Sequence, residues 1–474
     1  MTAEEIFVGE TDNVEFKEDI PARSEKYMKT VVAFANGKGG KLIFGVENNT
    51  WKVTGFTKEE VFQKMDAITN AIFDSCEPKI TPNVGVQEVD GKAIIEVEIL
   101  PGMPRPYYIR SQGILDGTYI RVSGTTRHAE RYQVQELILE GQNRHYDCEP
   151  VEDLTLTEED ITKLCANMKE MAIRNAVSEV EKAKVRDVTK NTLLSWGVLS
   201  EKDGAVIPTN AYALLTGRAQ VQPVVQCGIF KGSDRAYFVD RREFKGSIQD
   251  QMEAAFQYVL EKINRGMTIQ GVQRQDMYEL PLDSVRELIA NSIAHRSYLE
   301  PGNIQIALFD NRLEVTSPGM LLNGVSIAKM KEGYSKIRNR AIANAFSYMK
   351  IIEKWGSGIP RIIRECKEYG LPEPEFLDFD GDFRVNMFRQ TTSNVKGISD
   401  TKNETNDTKN DTNETIAMRL IDENPAITQK EMKEKMGVSL ATIKRLMSNL
   451  QKSGKIQRQG SSRSGKWLIA DPKE

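Results

Sequence analysis

A carboxylate and a carboxamide stand four residues apart in a segment with helical periodicity between residues 283 and 298. Glu287 and Asn291 would lie one above the other on the same face of a helix that Asp283 can cap at its N-terminus. Side chains of these two types could hold a divalent cation and orient a water molecule, as phosphate chemistry requires. The alternative is an amphipathic core helix whose polar face is solvated.

Glycines at two turns could bring a phosphate group close to the backbone. Gly356 and Gly358 precede a predicted helix, and backbone N–H groups at the positive end of a helix bind anions. Gly319 closes a turn that follows a predicted hairpin at residues 303–316. Such turns are common, so they indicate a phosphate site only in combination with the paired polar side chains.

The composition of the 474 residues, 39% hydrophobic and 28% charged, is typical of a globular protein with about three domains. The net charge of −4 means that nucleic-acid contacts must come from local basic patches. Five scattered cysteines without a Cys-x-x-Cys pair, and three histidines, favour neither a zinc module nor a disulfide framework. No apolar run could span a bilayer and the N-terminus is not signal-like, so we expect a cytoplasmic protein without membrane contact.

Changes of pattern along the chain predict an α+β multidomain protein. We expect a mixed α+β domain at residues 1–145, a helical connecting region at 146–222, an α/β-sandwich domain at 223–390, a flexible linker at 391–414 and a winged helix at 415–474. The linker is rich in Thr, Asn, Asp and Lys and cannot bury a core of its own.

The C-terminal segment has the pattern of three short helices followed by two strands. That order predicts a helix-turn-helix with a β-wing and resembles winged-helix DNA-binding domains. The third helix would meet the major groove, and the wing would contact phosphates. The candidate DNA contacts are Thr442, Lys444, Arg445, Arg458, Arg463 and Lys466. The alternative use of this fold is contact with another protein.

Four motifs in the N-terminal region form a set. They are Glu10-x-x-x-x-Glu15-Phe-Lys17, Ala33-Phe-Ala-Asn36, Gly39-Gly-x-Leu-Ile-x-Gly45-Val46, and Tyr119-Ile-Arg-Val with Thr125-Thr-Arg127. Over most of residues 8–145 this set resembles the Alba-like domain of the Schlafen family, which implies that the domain binds DNA or RNA. Candidate phosphate contacts are Lys17, Arg105, Arg110, Arg121 and Arg127, with Tyr107 and Tyr108 available to stack on bases.

In some Schlafen proteins this domain is a metal-dependent nuclease built on three acidic residues, which the motifs match to Glu10, Glu15 and Glu47. Clustered carboxylates would hold Mn²⁺ or Mg²⁺ ions that activate water. Many relatives carry a pair of aspartates after the glycine-containing strand, whereas here Asn48 follows Glu47. The alternative is that Glu15 and Lys17 form a cross-strand ion pair and that Glu10 is solvated.

The paired polar side chains and the glycine turns, in their order over residues 184–390, resemble the divergent gyrase–Hsp90–kinase type ATP-binding domain. That domain usually follows the Schlafen-type module in bacterial transcriptional regulators often labelled RecG-related helicases. The resemblance implies ATP with Mg²⁺ as cofactor, with Asn291 holding the metal and Glu287 orienting water. The cofactor-binding residues would be Asn291, Gly319, Gly356 and Gly358, with Arg338 and Arg340 as further anion contacts. Ser317 stands where the family usually has the aspartate that reads adenine, so adenine specificity stays open.

These patterns together predict a DNA-binding transcriptional regulator that binds a nucleotide. A weak ATPase activity is left open, and no helicase motif supports helicase activity. The rival interpretation is a metal-dependent nuclease that acts on tRNA or foreign nucleic acid, for example in phage defence. A homodimer would place two winged helices on a palindromic DNA site.

Overall fold

The structure, a computed structural model, divides into two compact units, Met1–Asn394 and Val395–Glu474. It describes residues 13–47, 50–122, 124–270, 273–353, 355–379, 381–389, 413–425, 427–436, 443–444, 446–447, 450–451, 456–459 and 466–469. Predicted site residues that lie outside this described part of the chain are Glu10, Thr442, Arg445 and Arg463. Most of the predicted linker lies outside it as well.

The N-terminal domain is built on a four-stranded sheet. In order across this sheet, the strands are Val14–Lys17, Gly40–Phe44, Lys92–Ile99 and Asn83–Val89. The first pair is parallel and the other two pairs are antiparallel. Two small antiparallel pairs complete the domain: Cys76–Glu77 with Tyr108–Ile109, and Tyr119–Val122 with Thr125–His128.

Two helices, Glu25–Asn36 and Lys58–Ser75, pack their apolar side chains with those of the sheet in one core. The first helix ends at Asn36, the last residue of the Ala33-Phe-Ala-Asn36 motif. The second begins at a capping box in which Thr57 and Glu60 each accept a hydrogen bond from the other's backbone N–H. The remaining helical segments of the domain and its C-terminal edge are Arg110–Gln112, Gly113–Asp116, Arg131–Gly141 and Tyr146–Cys148.

The connecting region is only partly helical. Its helices are Glu158–Arg174, Glu179–Ala183, Lys190–Trp196 and Asn210–Leu215. A hairpin of Leu199–Lys202 and Ala205–Pro208, which the sequence prediction missed, turns at Asp203 and Gly204, both with positive φ. Apolar side chains of this region share one core with the domain that follows. The region is therefore an extension of that domain rather than a separate bridge.

The middle domain is built on a six-stranded mixed sheet. In order across the sheet, the strands are Phe238–Phe244, Val225–Phe230, Ile304–Leu308, Arg312–Pro318, Asp382–Phe388 and Glu375–Phe379. The Val225–Phe230 and Ile304–Leu308 strands pair in parallel, and the other neighbours are antiparallel. The predicted hairpin across Asp310 and Asn311 is confirmed.

The helices of the middle domain contribute their buried apolar residues to the same core as the sheet. They are Ile248–Lys262, Leu282–His295, Ile327–Lys331, Arg340–Tyr348 and Gly358–Glu368. A separate antiparallel hairpin joins Arg265–Gln270 to Gln273–Tyr278. Across the described residues, no helix combines the length and the apolar character that crossing a bilayer requires.

The second unit has its own small core. Helices Asn413–Glu423 and Gln429–Met436 are followed by helical residues at the described positions between 443 and 451. Strands Ile456–Gln459 and Lys466–Ile469 pair in an antiparallel hairpin. Buried residues from all of these elements, among them Ile421, Met432, Ile443 and Trp467, pack together. This is the predicted order of three helices and a β-wing.

Candidate functional site

The Leu282–His295 helix presents polar side chains to a cavity rather than to solvent. Glu287 is only 4% exposed, so the expectation of a solvated polar face is wrong. Asp283 is also not the helix cap, because Pro281 occupies that position and Asp283 lies in the first turn. An acidic residue in the first turn still interacts favourably with the positive end of the helix.

All five residues that the sequence assigns to phosphate chemistry line this cavity. Its wall is formed by the Leu282–His295 helix, the strands Arg312–Pro318 and Asp382–Phe388, and the segment from residue 319 to 338. The cavity encloses about 1210 Å³ of space, counting its open mouth. The predicted residues in its lining are Glu287, Asn291, Gly319, Gly356 and Gly358. Much of the remaining wall is apolar, with side chains such as Leu288, Val315, Leu321, Val325 and Phe383.

The carboxylate of Glu287 has two side-chain partners, Asn291 in the cavity lining and Arg361 outside it. Its Oε2 lies 2.8 Å from Nη2 of Arg361, and its Oε1 accepts a hydrogen bond of 3.1 Å from Nδ2 of Asn291. Burial raises the pKa of Glu287, while the Arg361 guanidinium and the Asn291 amide act in the opposite direction. The pair of polar residues predicted from the sequence is therefore real, but a third residue that the sequence analysis missed, Arg361, holds it.

Two glycines let the backbone approach this pair closely. A Cβ atom built on Gly358 would lie 2.2 Å from Oε1 of Glu287, so no larger residue fits without displacing the carboxylate. Gly356 has φ +70°, and a Cβ there would lie 1.9 Å from the carbonyl oxygen of Gly333. The predicted glycine turn is thus required by the packing of the cavity wall, at the start of the Gly358–Glu368 helix.

His295 lies two helical turns beyond Glu287 on the same side of the helix and also lines the cavity. A separation of eight positions places the two side chains about 12 Å apart along the helix axis. Burial, with a smaller contribution from Arg338, lowers the pKa of His295 to about 4, so its imidazole is neutral at pH 7. The sequence analysis did not assign His295 to the site. The repeat of polar residues at 287, 291 and 295 was the signal that could have identified it.

Of the two arginines predicted as further anion contacts, only Arg338 lines the cavity. Its guanidinium lies 2.6 Å from Glu136 of the N-terminal domain and donates to the carbonyl of Met320. Arg340 is exposed at the start of the Arg340–Tyr348 helix and lies outside this cavity's lining. The prediction for Arg340 is therefore not supported at this site.

The acidic residues predicted for a nuclease are engaged in other contacts where the structure describes them. Glu15 lies 2.7 Å from Lys17 and 2.9 Å from Arg121, and Thr30 donates to it. Glu15 and Lys17 form the alternative ion pair, but along one strand and on one face rather than across strands. Glu47 accepts a hydrogen bond from Thr50. Within the described residues, no group of three or more His, Cys, Asp and Glu could hold a metal ion.

The candidate phosphate contacts of the N-terminal domain divide into two groups. Arg105 is nearly buried and lies 2.7 Å from Glu140, and Tyr107 is buried, so neither is available to nucleic acid as predicted. Both have structural roles, because Arg105 and the backbone of Tyr107 hold the end of the Glu25–Asn36 helix. The more accessible basic candidates are Lys17, Arg110 and Arg127, whereas Arg121 is mostly covered.

Two of the predicted DNA contacts in the second unit are exposed lysines. Lys444 lies in a helical position beside the buried Ile443, and Lys466 begins the second strand of the wing. Arg458 lies on the facing strand, opposite Trp467. Thr442, Arg445 and Arg463 are outside the described residues.

Three segments of the chain match known families. Residues 10–130 match the family described as Schlafen, AlbA_2. Residues 302–387 match the family described as "Putative ATP-dependent DNA helicase recG C-terminal", and residues 412–466 match the MarR family. The chain is thus an α+β multidomain protein with an AlbA-type domain, an ATPase-like domain and a MarR-type winged helix, as the sequence analysis predicted.

Two solved structures are similar to the chain. A crystal structure of a protein from Corynebacterium diphtheriae is 18% identical, covers 97% of this chain and 92% of that chain, and has a TM-score of 0.42. A solution structure of the N-terminal domain of a RecG-related protein from Nitrosomonas europaea is 21% identical, covers 27% of this chain and 94% of that chain, and has a TM-score of 0.21. Comparison with curated proteins finds no match.

Proposed function

We propose that the chain is a DNA-binding transcriptional regulator whose ATPase-like domain binds ATP with Mg²⁺ as an effector. The observation that carries the nucleotide part is the gathering of Glu287, Asn291, Gly319, Gly356 and Gly358 around one cavity. The DNA-binding part is supported by the match of residues 412–466 to the MarR family and by the helices and hairpin of that unit.

The chemistry of the cavity suits a nucleotide because its two ends differ. One end carries Asn291 and the glycines at the start of the Gly358–Glu368 helix, and Arg361 contacts the lining carboxylates there. This set favours phosphates. The other end, about 12 Å along the helix, carries the neutral His295, which can donate or accept one hydrogen bond. Between them the wall is largely apolar and could cover the face of a base.

The residues present fit a magnesium ion bound through the nucleotide. Asn291 donates its amide nitrogen to Glu287, which leaves its carbonyl oxygen as a hard ligand. The ion would supply charge neutralisation between the phosphates and this oxygen. Both carboxylate oxygens of Glu287 already accept hydrogen bonds, one from Arg361 and the other from Asn291, so the carboxylate is less available to orient a water molecule. We therefore expect nucleotide binding with slow turnover at most.

The DNA contacts of the second unit would be of two kinds. Thr442, Lys444 and Arg445 belong to the third helix, which reads the major groove in winged-helix proteins. Arg458, Arg463 and Lys466 belong to the wing and would contact phosphates. In a homodimer, two such units would match a palindromic site. The N-terminal domain would add affinity for DNA or RNA through its accessible cations, such as Lys17 and Arg127.

The cavity wall is also part of the contact with the N-terminal domain. Besides the pair of Arg338 and Glu136, Asn323 donates to the carbonyl of Asn36 at 3.0 Å and to Glu140 at 3.1 Å. A ligand that prefers one arrangement of this wall would therefore favour one arrangement of the N-terminal domain. Coupling of this kind requires different affinities for two states, and it acts equally in both directions.

The proposal of DNA binding is tested in two steps. The full wild-type chain selects a DNA site from a random pool, and the affinity of each protein variant for that site is then measured. Lys444→Ala should weaken binding at least severalfold, with a smaller salt dependence, because a phosphate or base contact is lost. The matched control is Lys163→Ala, which removes an exposed lysine from the Glu158–Arg174 helix. Equal affinity of wild-type, Lys444→Ala and Lys466→Ala proteins would remove the winged helix as the DNA-binding element.

A further inference from the structure

One arginine, Arg361, holds two carboxylates of the cavity lining. Nη2 of Arg361 lies 2.8 Å from the buried Glu287, and Nη1 lies 2.6 Å from Glu353. The two carboxylates differ in accessibility, since the side chain of Glu287 is 5% exposed and that of Glu353 is 51% exposed. Both side chains line the cavity. Glu353 is therefore the partner that can leave Arg361 without a change in the core.

Glu353 occupies a position made for an anion. Its second carboxylate oxygen accepts a hydrogen bond from the hydroxyl of Ser357, the residue directly before the Gly358–Glu368 helix. The Ser357 hydrogen bond, and after it the Arg361 charge, lower the pKa of Glu353. The side chain is therefore ionised throughout the neutral range. The carboxylate of Glu353 thus does what a phosphate oxygen would do at this place: it accepts from a guanidinium and a hydroxyl beside a helix N-terminus.

One buried polar group beside Glu353 lacks an acceptor. Nε of Arg361 is buried and has no hydrogen-bond acceptor among the described residues. A buried donor without an acceptor is costly. An anion with more acceptor oxygens than the Glu353 carboxylate would have one available for this N–H group.

We propose that Arg361 and Ser357, which hold the cavity-lining Glu353, form an anion subsite beside this cavity, that Glu353 fills it in the unliganded protein, and that a terminal phosphate of the ligand displaces Glu353. The proposal rests on the proposed function only in taking a phosphate-bearing ligand. Glu353 acts as a built-in competitor: it swings toward solvent when the phosphate arrives, and it lowers the affinity for weakly charged anions. A phosphate wins this competition because it carries more charge and more acceptor oxygens than a carboxylate.

The test is calorimetric titration of the full chain with two probes, inorganic pyrophosphate and ATP with Mg²⁺, for wild-type and Glu353→Gln proteins. Removal of the competing charge should tighten binding of both probes roughly fivefold to tenfold. Adenosine, which lacks a phosphate, should bind both proteins equally. The matched control is Glu368→Gln, which neutralises an exposed glutamate at the end of the same helix. Its affinities should equal those of the wild type.

The outcomes separate this inference from the proposed function. ATP binding that is unchanged or weakened by Glu353→Gln would overturn the subsite while leaving nucleotide binding in place. Tighter pyrophosphate binding by Glu353→Gln, with no ATP binding by either protein, would support the subsite and remove ATP as its ligand. No binding of either probe by either protein would overturn both. Equal melting temperatures of the variants would show that affinity, not folding, has changed.

Discussion

The guanidinium of Arg338 lies 2.6 Å from the carboxylate of Glu136, and this ion pair joins the cavity wall to the last long helix of the N-terminal domain. Both side chains are largely buried, with 12% and 29% of their surfaces exposed. The backbone carbonyl of Arg338 is also 3.0 Å from Nδ1 of His145, which follows the same helix. The cavity wall and the N-terminal domain are therefore in direct contact within one compact unit.

Loss of this ion pair should uncouple the two domains more than it destabilises them. We expect Glu136→Gln to lower the free energy of unfolding by about 1 kcal/mol, because the pair is partly screened by solvent. We also expect the effect of ATP on DNA affinity to shrink, since one tie between the cavity wall and the N-terminal domain is lost. Urea unfolding and DNA binding with and without ATP measure the two effects. Gln135→Ala, an exposed neighbour, is the control and should change neither.

Gly358 should tolerate no side chain. A Cβ at this position would lie 2.2 Å from the Glu287 carboxylate, so Gly358→Ala should cost about 2 kcal/mol in unfolding free energy and should weaken ATP binding strongly. Gly85→Ala is the matched control, because nothing lies within 4 Å of the added methyl group. Thermal unfolding and calorimetry compare the two proteins. Wild-type stability and ATP affinity in Gly358→Ala would contradict the described packing of the cavity wall.

Burial of His295 should make the free energy of unfolding depend on pH. Its pKa is about 4 in the folded chain and 6.5 when unperturbed, so between these values the unfolded chain binds a proton that the folded chain does not. The contribution of the neutral His295 to the free energy of unfolding is fully present above pH 6.5. It is lost as the pH falls toward 4, and the loss amounts to roughly 3 kcal/mol in total. Glutamine does not titrate in this pH range. The difference in unfolding free energy between the wild-type and His295→Gln proteins should therefore change between pH 6.5 and pH 4. A constant difference from pH 7 to pH 4 would show that the imidazole is not buried as described.

The contacts of Glu15 predict a structural rather than a catalytic role. Glu15→Gln should lower the unfolding free energy by about 2 kcal/mol, because Arg121, itself only 10% exposed, would lose its contact with this charged carboxylate. Wild-type protein should leave labelled single-stranded DNA, duplex DNA and tRNA intact with Mn²⁺ or Mg²⁺. Time courses with an EDTA control measure this directly. Metal-dependent cleavage that disappears in Glu15→Gln would instead establish the nuclease alternative.

Most helices and strands could be predicted from local sequence patterns, because each of them forms through residues that are close together in the sequence. The Glu25–Asn36 helix and the hairpin around residues 310 and 311 follow from apolar periodicity and turn residues within a few positions. The capping box of Thr157 and Asp160 likewise depends on residues within one helical turn. The hairpin at residues 199–208 was missed because its short strands share a window with helix-forming neighbours.

Side-chain partners from distant segments could not be predicted in the same way. The helical spacing of Glu287 and Asn291 predicted that their side chains are neighbours. Arg361, which also contacts Glu287, is 74 residues away in the sequence. Arg105 was expected to contact nucleic acid as an exposed cation, yet the fold places it against Glu140 and the carbonyl of Gly37. No periodicity within either segment encodes such contacts, because they depend on how the sheet and helices pack.

We expect nucleotide binding in the cavity to change the affinity of the chain for DNA. The most direct test is fluorescence anisotropy with the selected DNA site during a titration with ATP and Mg²⁺, for wild-type and Asn291→Ala proteins. Saturating ATP should change the DNA affinity of the wild type by at least about fivefold and should leave the DNA affinity of Asn291→Ala unchanged. Identical DNA affinity of the wild type with and without ATP, or an Asn291→Ala protein with wild-type affinities for both ligands, would contradict it.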